Sequence, residues 1–528
     1  MHSREMRILP WLLAVLSIAV VRAAEKPNMI FILADDLGIG DVRCFNPEGK
    51  IATPSMDRLA AGGMKFTDAH TPSAVCTPTR YGVLTGRYNW RTKLQSGVLG
   101  GLSPRLIEQG RLTVAQMLMD QGYATACVGK WHLGMDWAKH EGKAVEELSI
   151  ETPEQVWSVD FTKPIANGPN AVGFDYYFGI AASLDMVPYT FIENDHVTKV
   201  PTKEVGFPMM TDRENGGMTR KGPAAEGFEA VDVLPTLAGV ASEWITTAAK
   251  NGRPFFLYLP LNAPHTPINP LPEWKGKSGL NAYGDYVMQV DAAVGKVLAA
   301  LEESGAAKNT LVVLTSDNGC SPQAKFDELR AKGHDPSAGF RGHKADIFEG
   351  GHRVPFIVRW PGKVMAGGSS ADIVCLTDFM ATAAEITGVK SPANAAEDSV
   401  SFLPALLGKE GPKRTTLVSH SINGSFAIRE GNMKLCLCPG SGGWSAPKPG
   451  SPAAKDLPPD QLFDLAADRA ETKNLAAEKP ETVKRLGELL DKYVADGRST
   501  PGQPQKNAVE IKLRKKAKAA KKKAAAAK

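Results

Sequence analysis

The residues of this chain most able to do chemistry lie in the string Cys76-Thr77-Pro78-Thr79-Arg80. Proline has no N–H and is well tolerated at the start of a helix, where that donor would have no partner. The string therefore predicts a helix that begins near residue 76, with free backbone donors and the positive end of the helix dipole directed at it. Arg80, one turn further on, adds a positive charge. Such a site favours a negatively charged oxygen, either on residue 76 or on an anionic substrate.

Two neighbouring aspartates, Asp35 and Asp36, follow the first buried strand of the expected fold. Residues 28–33 form the continuous apolar run that is typical of a strand covered on both faces. In open α/β sheets, ligands bind beyond the carboxyl ends of the strands, and adjacent carboxylates there repel unless a hard cation joins them. A second apolar run leads into Asp317 and Asn318, which add another carboxylate and an amide oxygen. The pattern predicts a cation site.

Basic residues follow two further strand-like runs, one leading to Lys130 and His132 and the other to His265. Lys344 lies in a glycine-rich segment before another strand and is expected to project into the same mouth. A lone histidine or aspartate after a strand is usually a turn residue with satisfied hydrogen bonds. Several such endings, together with the Cys76 string, indicate one shared site.

Strands that alternate with helices predict an α/β fold, with a large mixed, mostly parallel sheet flanked by helices. Helical periodicity is clear over 113–120 and 283–304. From about residue 397 the pattern changes to hairpin strands, a glycine- and proline-rich loop and a final helix. We expect a catalytic domain over 24–396 and a smaller C-terminal α/β subdomain over 397–505.

The two ends of the chain differ from the body in composition. Residues 1–23 combine arginines, a short apolar run and small residues near Ala23, which predicts a cleaved signal peptide. The alternative, a membrane anchor, needs about 20 apolar residues, and no later segment is long and apolar enough either. We therefore expect a secreted or periplasmic protein without a transmembrane segment.

Residues 506–528 carry ten lysines or arginines and one glutamate, which accounts for the net charge of +5 and leaves the body mildly acidic. The charge of the body thus gives no indication of a nucleic-acid partner. We expect a disordered Lys/Ala-rich tail. It is either an inert extension or a tether to polyanions such as sulfated polysaccharides.

Cysteine usage leaves the disulfide question open. The chain has seven cysteines. Export permits disulfides, and the six cysteines other than Cys76 allow 15 pairings, among which the sequence does not choose. Cys436-x-Cys438 is a weak metal signal, and packing in a strand is the favoured interpretation.

The Cys76 string resembles the signature of a known family, the type I (formylglycine-dependent) sulfatases, which are arylsulfatase A-like and have an alkaline-phosphatase-type fold. The matching residues are Cys76-x-Pro78-x-Arg80-x-x-x-Leu84-Thr85-Gly86. A second signature of that family resembles Gly122-Tyr123-x-Thr125-x-x-x-Gly129-Lys130-Trp131-His132-Leu133-Gly134. The similarity covers most of residues 27–495.

The resemblance implies hydrolysis of sulfate monoesters on a sulfated small molecule or carbohydrate. It implies that a formylglycine-generating maturation enzyme oxidises Cys76 to formylglycine, whose hydrated aldehyde is the nucleophile. It also implies a bound calcium ion. The implied calcium ligands are Asp35, Asp36, residue 76, Asp317 and Asn318.

The resemblance further implies a set of residues around the sulfate: Arg80, Lys130, His132, Ser183, His265 and Lys344. In that scheme Arg80 and Lys130 hold the nucleophile and the sulfate, and His265 or Lys344 protonates the departing alcohol. His132 then takes a proton from the nucleophile so that sulfate leaves. No motif covers 186–253, where we expect part of the substrate selectivity to lie.

Two other functions are compatible with these residues. The same fold, with formylglycine and a hard cation, would also suit a phosphoester or phosphonate-ester hydrolase. A non-catalytic binder of sulfated polysaccharide would use the basic pocket and tail, although it would have no need of the intact Cys-x-Pro-x-Arg string.

Overall fold

The structure is a computed structural model that describes residues 26–143, 151–213 and 216–514. The predicted signal peptide and the last part of the predicted tail, 515–528, lie outside the described residues. Over the described ranges, no helix has both the length and the apolar character needed to cross a membrane.

The strands and helices follow the alternation expected from the sequence. The strands are β1 Asn28–Asp35, β2 Met64–His70, β3 Ala124–Lys130, β4 Tyr176–Ile180, β5 Ile192–Glu193, β6 His196–Val197, β7 Pro201–Val205, β8 Gly222–Ala225, β9 Phe255–Pro264, β10 Thr310–Ser316, β11 Phe356–Arg359, β12 Gly368–Cys375, β13 Thr416–His420, β14 Phe426–Glu430, β15 Met433–Cys436 and β16 Gln461–Asp464. The α-helices are α1 Pro54–Ala61, α2 Cys76–Thr85, α3 Val114–Asp120, α4 Val233–Lys250, α5 Ala282–Glu303, α6 Phe326–Ala331, α7 Glu349–His352, α8 Asp378–Thr387, α9 Leu403–Leu406, α10 Pro452–Lys455 and α11 Pro480–Ala495.

The central element is a ten-stranded mixed sheet in the order β12-β2-β11-β10-β1-β9-β3-β4-β5-β6. Its middle strands, β10, β1, β9, β3 and β4, are parallel to their neighbours in that run, and antiparallel pairs lie towards both edges. The predicted fold class, a large mixed and mostly parallel sheet with flanking helices, is confirmed. Because the central strands are parallel, their carboxyl ends meet at one edge of the sheet.

Side-chain alternation along β1 explains the two layers of core. Phe31 and Leu33 enter a cluster with residues of α2, α3 and α8, whereas Ile30 and Ile32 enter a cluster with residues of α1, α4 and α5. Both faces of the sheet are therefore covered by helices. This explains why β1 is continuously apolar from Met29 to Leu33.

A second, four-stranded antiparallel sheet, in the order β13-β14-β15-β16, lies in the region predicted as the C-terminal subdomain. Leu486 and Leu490 of α11 pack on it. Cys436 and Cys438 contribute to a small apolar cluster with Phe348 and Phe463, in line with a packing role. All seven cysteines belong to the described residues and all are free.

A buried charge cluster joins the two sheets. Its members are Asp68, His70, Glu349, His352, Arg353, Arg429, Lys434 and Glu471, all buried except Asp68, whose side chain is 16% exposed. The ammonium of Lys434 lies 3.0 Å from Glu349 and 2.9 Å from Glu471, and Arg429 lies 2.7 Å from Asp68. His70, Glu349 and His352 are close enough together to hold a metal ion. The three cations of the cluster nevertheless already balance its three carboxylates, so its charge does not call for one.

We expect the change Lys434→Met to lower the free energy of unfolding by about 3–5 kcal/mol, because it leaves two buried carboxylates without their shared cation. The control is Lys413→Met, whose partner Asp372 is paired with it at the surface and whose loss should cost about 1 kcal/mol or less. Denaturant unfolding of both variants measures the difference. Equal effects would mean that the cluster does not hold the two sheets together.

The sequence predicts disorder from Lys506 onwards, and this is wrong for residues 506–514. The backbone N–H of Ala508 donates to the carbonyl of Arg91, and the Arg91 guanidinium donates to Asn507 Oδ1. Ile511 and Leu513 pack against the apolar cluster of the second sheet. The Lys/Ala-rich composition of the tail gave no indication that Ile511 and Leu513 would pack against the second sheet.

Truncation after Gln505 should therefore destabilise the protein, because it removes a hydrogen-bond partner of the buried Arg91 as well as the packing of Ile511 and Leu513. We expect a loss of about 1.5–3 kcal/mol or more, since a hydrogen bond to a charged group is involved. Truncation after Arg514 is the matched control and should leave the unfolding midpoint unchanged. The prediction fails if the two truncated proteins unfold at the same denaturant concentration.

Candidate active site

The adjacent order of β10, β1, β9 and β3 brings four polar strand ends together. Asp35 ends β1, and Asp36 follows it with a left-handed backbone (φ 67°) that turns the chain at the sheet edge. Asp317 follows β10, and its backbone N–H donates to the carbonyl of Ala34. Lys130 ends β3, and His265 comes directly after β9.

Helix α2 presents Cys76 to this edge. The helix begins at Cys76, and Gly86 ends it in the left-handed conformation (φ 63°), as the sequence string predicts. The segment before the helix is held by Ser73 and Ala74, which both donate to the carbonyl of His420. Cys76 is 2% exposed. Its surroundings are therefore set by the protein and not by solvent.

Arg80 and Asp317 form the most tightly bonded pair of the site. The guanidinium donates through Nε (3.0 Å) and Nη2 (2.7 Å) to Asp317 Oδ2, and through Nη1 to the carbonyl of Lys130 (2.8 Å). Burial, followed by the charge of Asp35, raises the pKa of Asp317 to about 6. The three hydrogen bonds give Arg80 a fixed orientation beside Cys76.

Asp35 and Asp36 each have a lysine partner. Lys130 Nζ lies 2.6 Å from Asp35 Oδ2, and Lys344 Nζ lies 2.7 Å from Asp36 Oδ1. Burial raises the pKa of Asp35, but the charges of Lys130, His265 and Arg80 outweigh it and hold that pKa well below its usual range. The site thus pairs buried cations with buried carboxylates.

The donor set fits a hard cation. Asn318 Nδ2 donates to Asp36 Oδ1 at 2.6 Å, and the Asn318 Oδ1 and Asp35 Oδ1 atoms are buried without a hydrogen-bond partner. Asp35, Asp36 and His265 are also close enough together to hold a metal ion. Carboxylate and amide oxygens are the ligands that Ca²⁺ prefers.

His132 has one ring nitrogen free to accept a proton. Its Nε2 lies 2.8 Å from the carbonyl of Leu99, which can only accept, so Nε2 carries the proton. Burial, followed by the charge of Lys130, holds the pKa of His132 well below its usual value, so the ring is neutral. Its Nδ1 is then a bare lone pair, and it is buried without a partner.

His265 has the opposite arrangement. Its Nδ1 donates to the carbonyl of Thr266 at 2.7 Å, and its Nε2 lies 3.7 Å from Asp36 Oδ2. Ser183 is buried three residues after β4, and its hydroxyl has no hydrogen-bond partner. The backbone N–H of His132 donates to Ala181, so the Ser183 segment runs beside His132.

The thiol at position 76 is a poor nucleophile as it stands. Burial raises its pKa, although the charges of Lys130 and Lys344 act in the opposite direction. A protonated thiol has little reactivity, because the thiolate is the attacking species. Chemistry at this position therefore calls for a different functional group.

One contributor to the site was missed from the sequence, the carbonyl of Leu99 that orients His132. The backbone N–H of Leu99 in turn donates to Thr77 Oγ1 in α2, at 3.2 Å. Because the contribution is made by the backbone, no residue type in the sequence could have indicated it.

This fold and site define a class of protein. The family model described as Sulfatase matches residues 27–389. The chain belongs to the sulfatase family, as a type I sulfatase, and is a sulfuric ester hydrolase.

Relatives with assigned activities include an N-acetylgalactosamine-6-O-sulfatase of Bacteroides thetaiotaomicron, which is 35% identical over 89% of this chain and 93% of its own. Arylsulfatase A of Bos taurus is 32% identical over 91% of this chain and 90% of its own. A solved structure from work on the metabolism of multiple glycosaminoglycans by Bacteroides thetaiotaomicron has a TM-score of 0.74 and 33% identity, covering 89% of this chain and 99% of that one.

Proposed function

We propose that the chain removes sulfate from a sulfated carbohydrate, using formylglycine derived from Cys76 and a bound calcium ion. The observation that carries the proposal is the position of Cys76 at the start of a buried helix, among Arg80, Lys130 and Lys344. A sulfate monoester is an anion, so its attack requires fixed positive charge around the transferring group. The carbohydrate nature of the substrate is supported by the activity of the Bacteroides thetaiotaomicron relative.

The residues of the chain divide the work between binding and proton transfer. Arg80 keeps its charge and orientation through Asp317, and Lys130 and Lys344 bind sulfate oxygens. The proton for the departing alcohol oxygen comes from Lys344 or from the imidazolium form of His265, which donates through Nε2 while Nδ1 stays bonded to Thr266. His132 accepts a proton at its free Nδ1 when sulfate leaves. Ser183 donates its unpartnered hydroxyl to the sulfate.

Formylglycine and calcium would each add one element of the chemistry. Hydrated formylglycine at position 76 would supply the attacking hydroxyl that a buried neutral thiol does not provide. Calcium, held by Asp35, Asp36, Asp317, Asn318 and residue 76, would supply positive charge for the transferring group. Formation of formylglycine requires the maturation enzyme, and export follows from the predicted signal peptide.

A comparison of two aryl esters separates the proposal from its alternatives. The purified, matured enzyme is assayed separately with 4-nitrophenyl sulfate and with 4-nitrophenyl phosphate. A 6-sulfated N-acetylhexosamine serves as the third, carbohydrate substrate. We expect kcat/KM for the sulfate ester to exceed that for the phosphate ester. The reverse order would favour a phosphoester hydrolase. Binding of sulfated polysaccharide by matured protein that hydrolyses none of the three would favour a non-catalytic binder.

A further inference from the structure

Beyond the sulfate site lies a second group of side chains, Glu151, Asp185 and Arg220. The two carboxyl groups among them each have a buried oxygen without a hydrogen-bond partner. We call these three residues the Asp185 cluster. The catalytic scheme above uses none of them. Asp185 lies two residues after Ser183, in a turn closed by a hydrogen bond from the backbone N–H of Met186 to the Ser183 carbonyl. The cluster therefore adjoins the sulfate site.

Arg220 holds one side of Asp185. The guanidinium Nη1 donates to the Asp185 carbonyl (3.2 Å) and lies 3.4 Å from Asp185 Oδ2. The other carboxylate oxygen, Oδ1, is buried and has no hydrogen-bond partner. The Arg220 side chain is 37% exposed and that of Asp185 is 17% exposed, so the cluster reaches the surface on the arginine side.

Glu151 is close to the same place from another segment. It is 7% exposed, its Oε1 accepts from the backbone N–H of Leu102, and its Oε2 is buried without a partner. A Cβ atom on Gly101 would lie 1.9 Å from the carbonyl of Val187, so the backbone beside Leu102 touches the chain just after Asp185. Burial raises the pKa of the Glu151 carboxyl, and the charge of Arg220 acts in the opposite direction.

The chemistry of the cluster indicates what it would bind. Two carboxyl groups lie near one guanidinium, which contacts Asp185, and each carboxyl group has one buried oxygen that lacks a hydrogen-bond partner. Leaving such an oxygen unpaired in a buried place is costly, so the missing partners are O–H or N–H groups. A sugar ring offers both, as hydroxyls or an acetamido N–H. A second sulfate offers neither and would be repelled by the carboxylates.

We propose that Asp185, held by Arg220, accepts hydrogen bonds from the sugar ring that carries the sulfate ester, with Glu151 as a second acceptor. The cluster selects a ring whose face towards Asp185 carries hydroxyl or amide groups and no second anionic group. This inference rests on the proposed function and names the substrate class of the same site.

The test compares three substrates: a 6-sulfated N-acetylhexosamine, its 4,6-disulfated counterpart, and 4-nitrophenyl sulfate, which has no hydroxyls to offer. The change Asp185→Ala should lower kcat/KM for the monosulfated sugar about 10- to 100-fold, because a hydrogen bond to a charged group is lost. The value for 4-nitrophenyl sulfate should change by less than about threefold. Asp185→Asn should raise the ratio of disulfated to monosulfated turnover.

The matched control is Asp195→Asn, an exposed aspartate paired with His196, which should leave all three values unchanged. An equal loss on the sugar and on 4-nitrophenyl sulfate in Asp185→Ala would assign Asp185 a purely structural role. An unchanged value for the sugar would also overturn the inference.

A binding measurement keeps the inference separate from the proposed function. Calorimetry in a Cys76→Ala background needs no turnover, and adding Asp185→Ala should weaken binding of the monosulfated sugar about 10-fold or more. If the matured enzyme hydrolyses no sulfated sugar yet this weakening is seen, the proposed function fails and the subsite stands. If Asp185→Ala leaves binding unchanged, the subsite fails.

Discussion

Replacing Cys76 by alanine is expected to lower sulfate-ester hydrolysis by about 10⁴-fold or more, because the nucleophile is lost while the binding groups remain. The side chain is small and buried, so we expect the variant to fold and to unfold near the wild-type denaturant midpoint. Kinetics with 4-nitrophenyl sulfate measure the first effect and circular dichroism the second. Peptide mass spectrometry of the active wild type should show loss of the thiol mass at position 76.

The control for this change is Cys436→Ala, another substitution of a fully buried cysteine, but in the second sheet. It should keep activity and lose only packing. An active wild-type protein that carries nothing but unmodified cysteine at position 76 would end the proposed chemistry.

Removal of the divalent cation is expected to abolish turnover and to lower the melting temperature. Asp35, Asp36 and Asp317 lie together at the sheet edge, and a cation bound to the native state stabilises it by mass action, about 2.7 kcal/mol at 100 times its Kd. Chelation followed by dialysis, with activity and thermal unfolding measured before and after, tests this. Calcium added back should restore both.

Substitution of one proposed calcium ligand tests the same cation assignment. Asp36→Asn should need a higher calcium concentration for half-maximal activity, whereas Asp327→Asn, in the first turn of α6, should behave as wild type. The cation assignment is wrong if exhaustive chelation changes neither activity nor melting temperature.

The strand ends of the site were predictable because local sequence determines them. A continuous apolar run that stops at a pair of carboxylates identifies both a buried strand and its ligand-binding end, as with Asp35 and Asp36. The start of α2 at Cys76 was predictable for the same reason, since proline and the later glycine act on the nearest few residues.

The pairings within the site were not predictable, because they depend on how distant segments meet. The sequence does not reveal that Asp35 pairs with Lys130 while Asp36 pairs with Lys344, which is 308 residues away. Glu151 and Arg220, which we propose as part of a sugar subsite, were not indicated by the sequence for a related reason: each is an ordinary charged residue in a segment without a motif. The packing of 506–514 depends on Arg91, which contacts this segment but is far from it in the sequence.

The cover over Cys76 sets a time limit on the modification that we propose for this residue. Ser73 and Ala74 bond to the carbonyl of His420, and Ser73 and His420 are 347 residues apart in the chain. At a synthesis rate of about 5–20 residues per second, the covering strand emerges roughly 17–70 s after the cysteine. Until then the Cys76 stretch lacks that cover and remains open to an oxidising enzyme. On the proposed chemistry, the yield of active protein therefore depends on how long the chain stays open as well as on how much maturation enzyme is present.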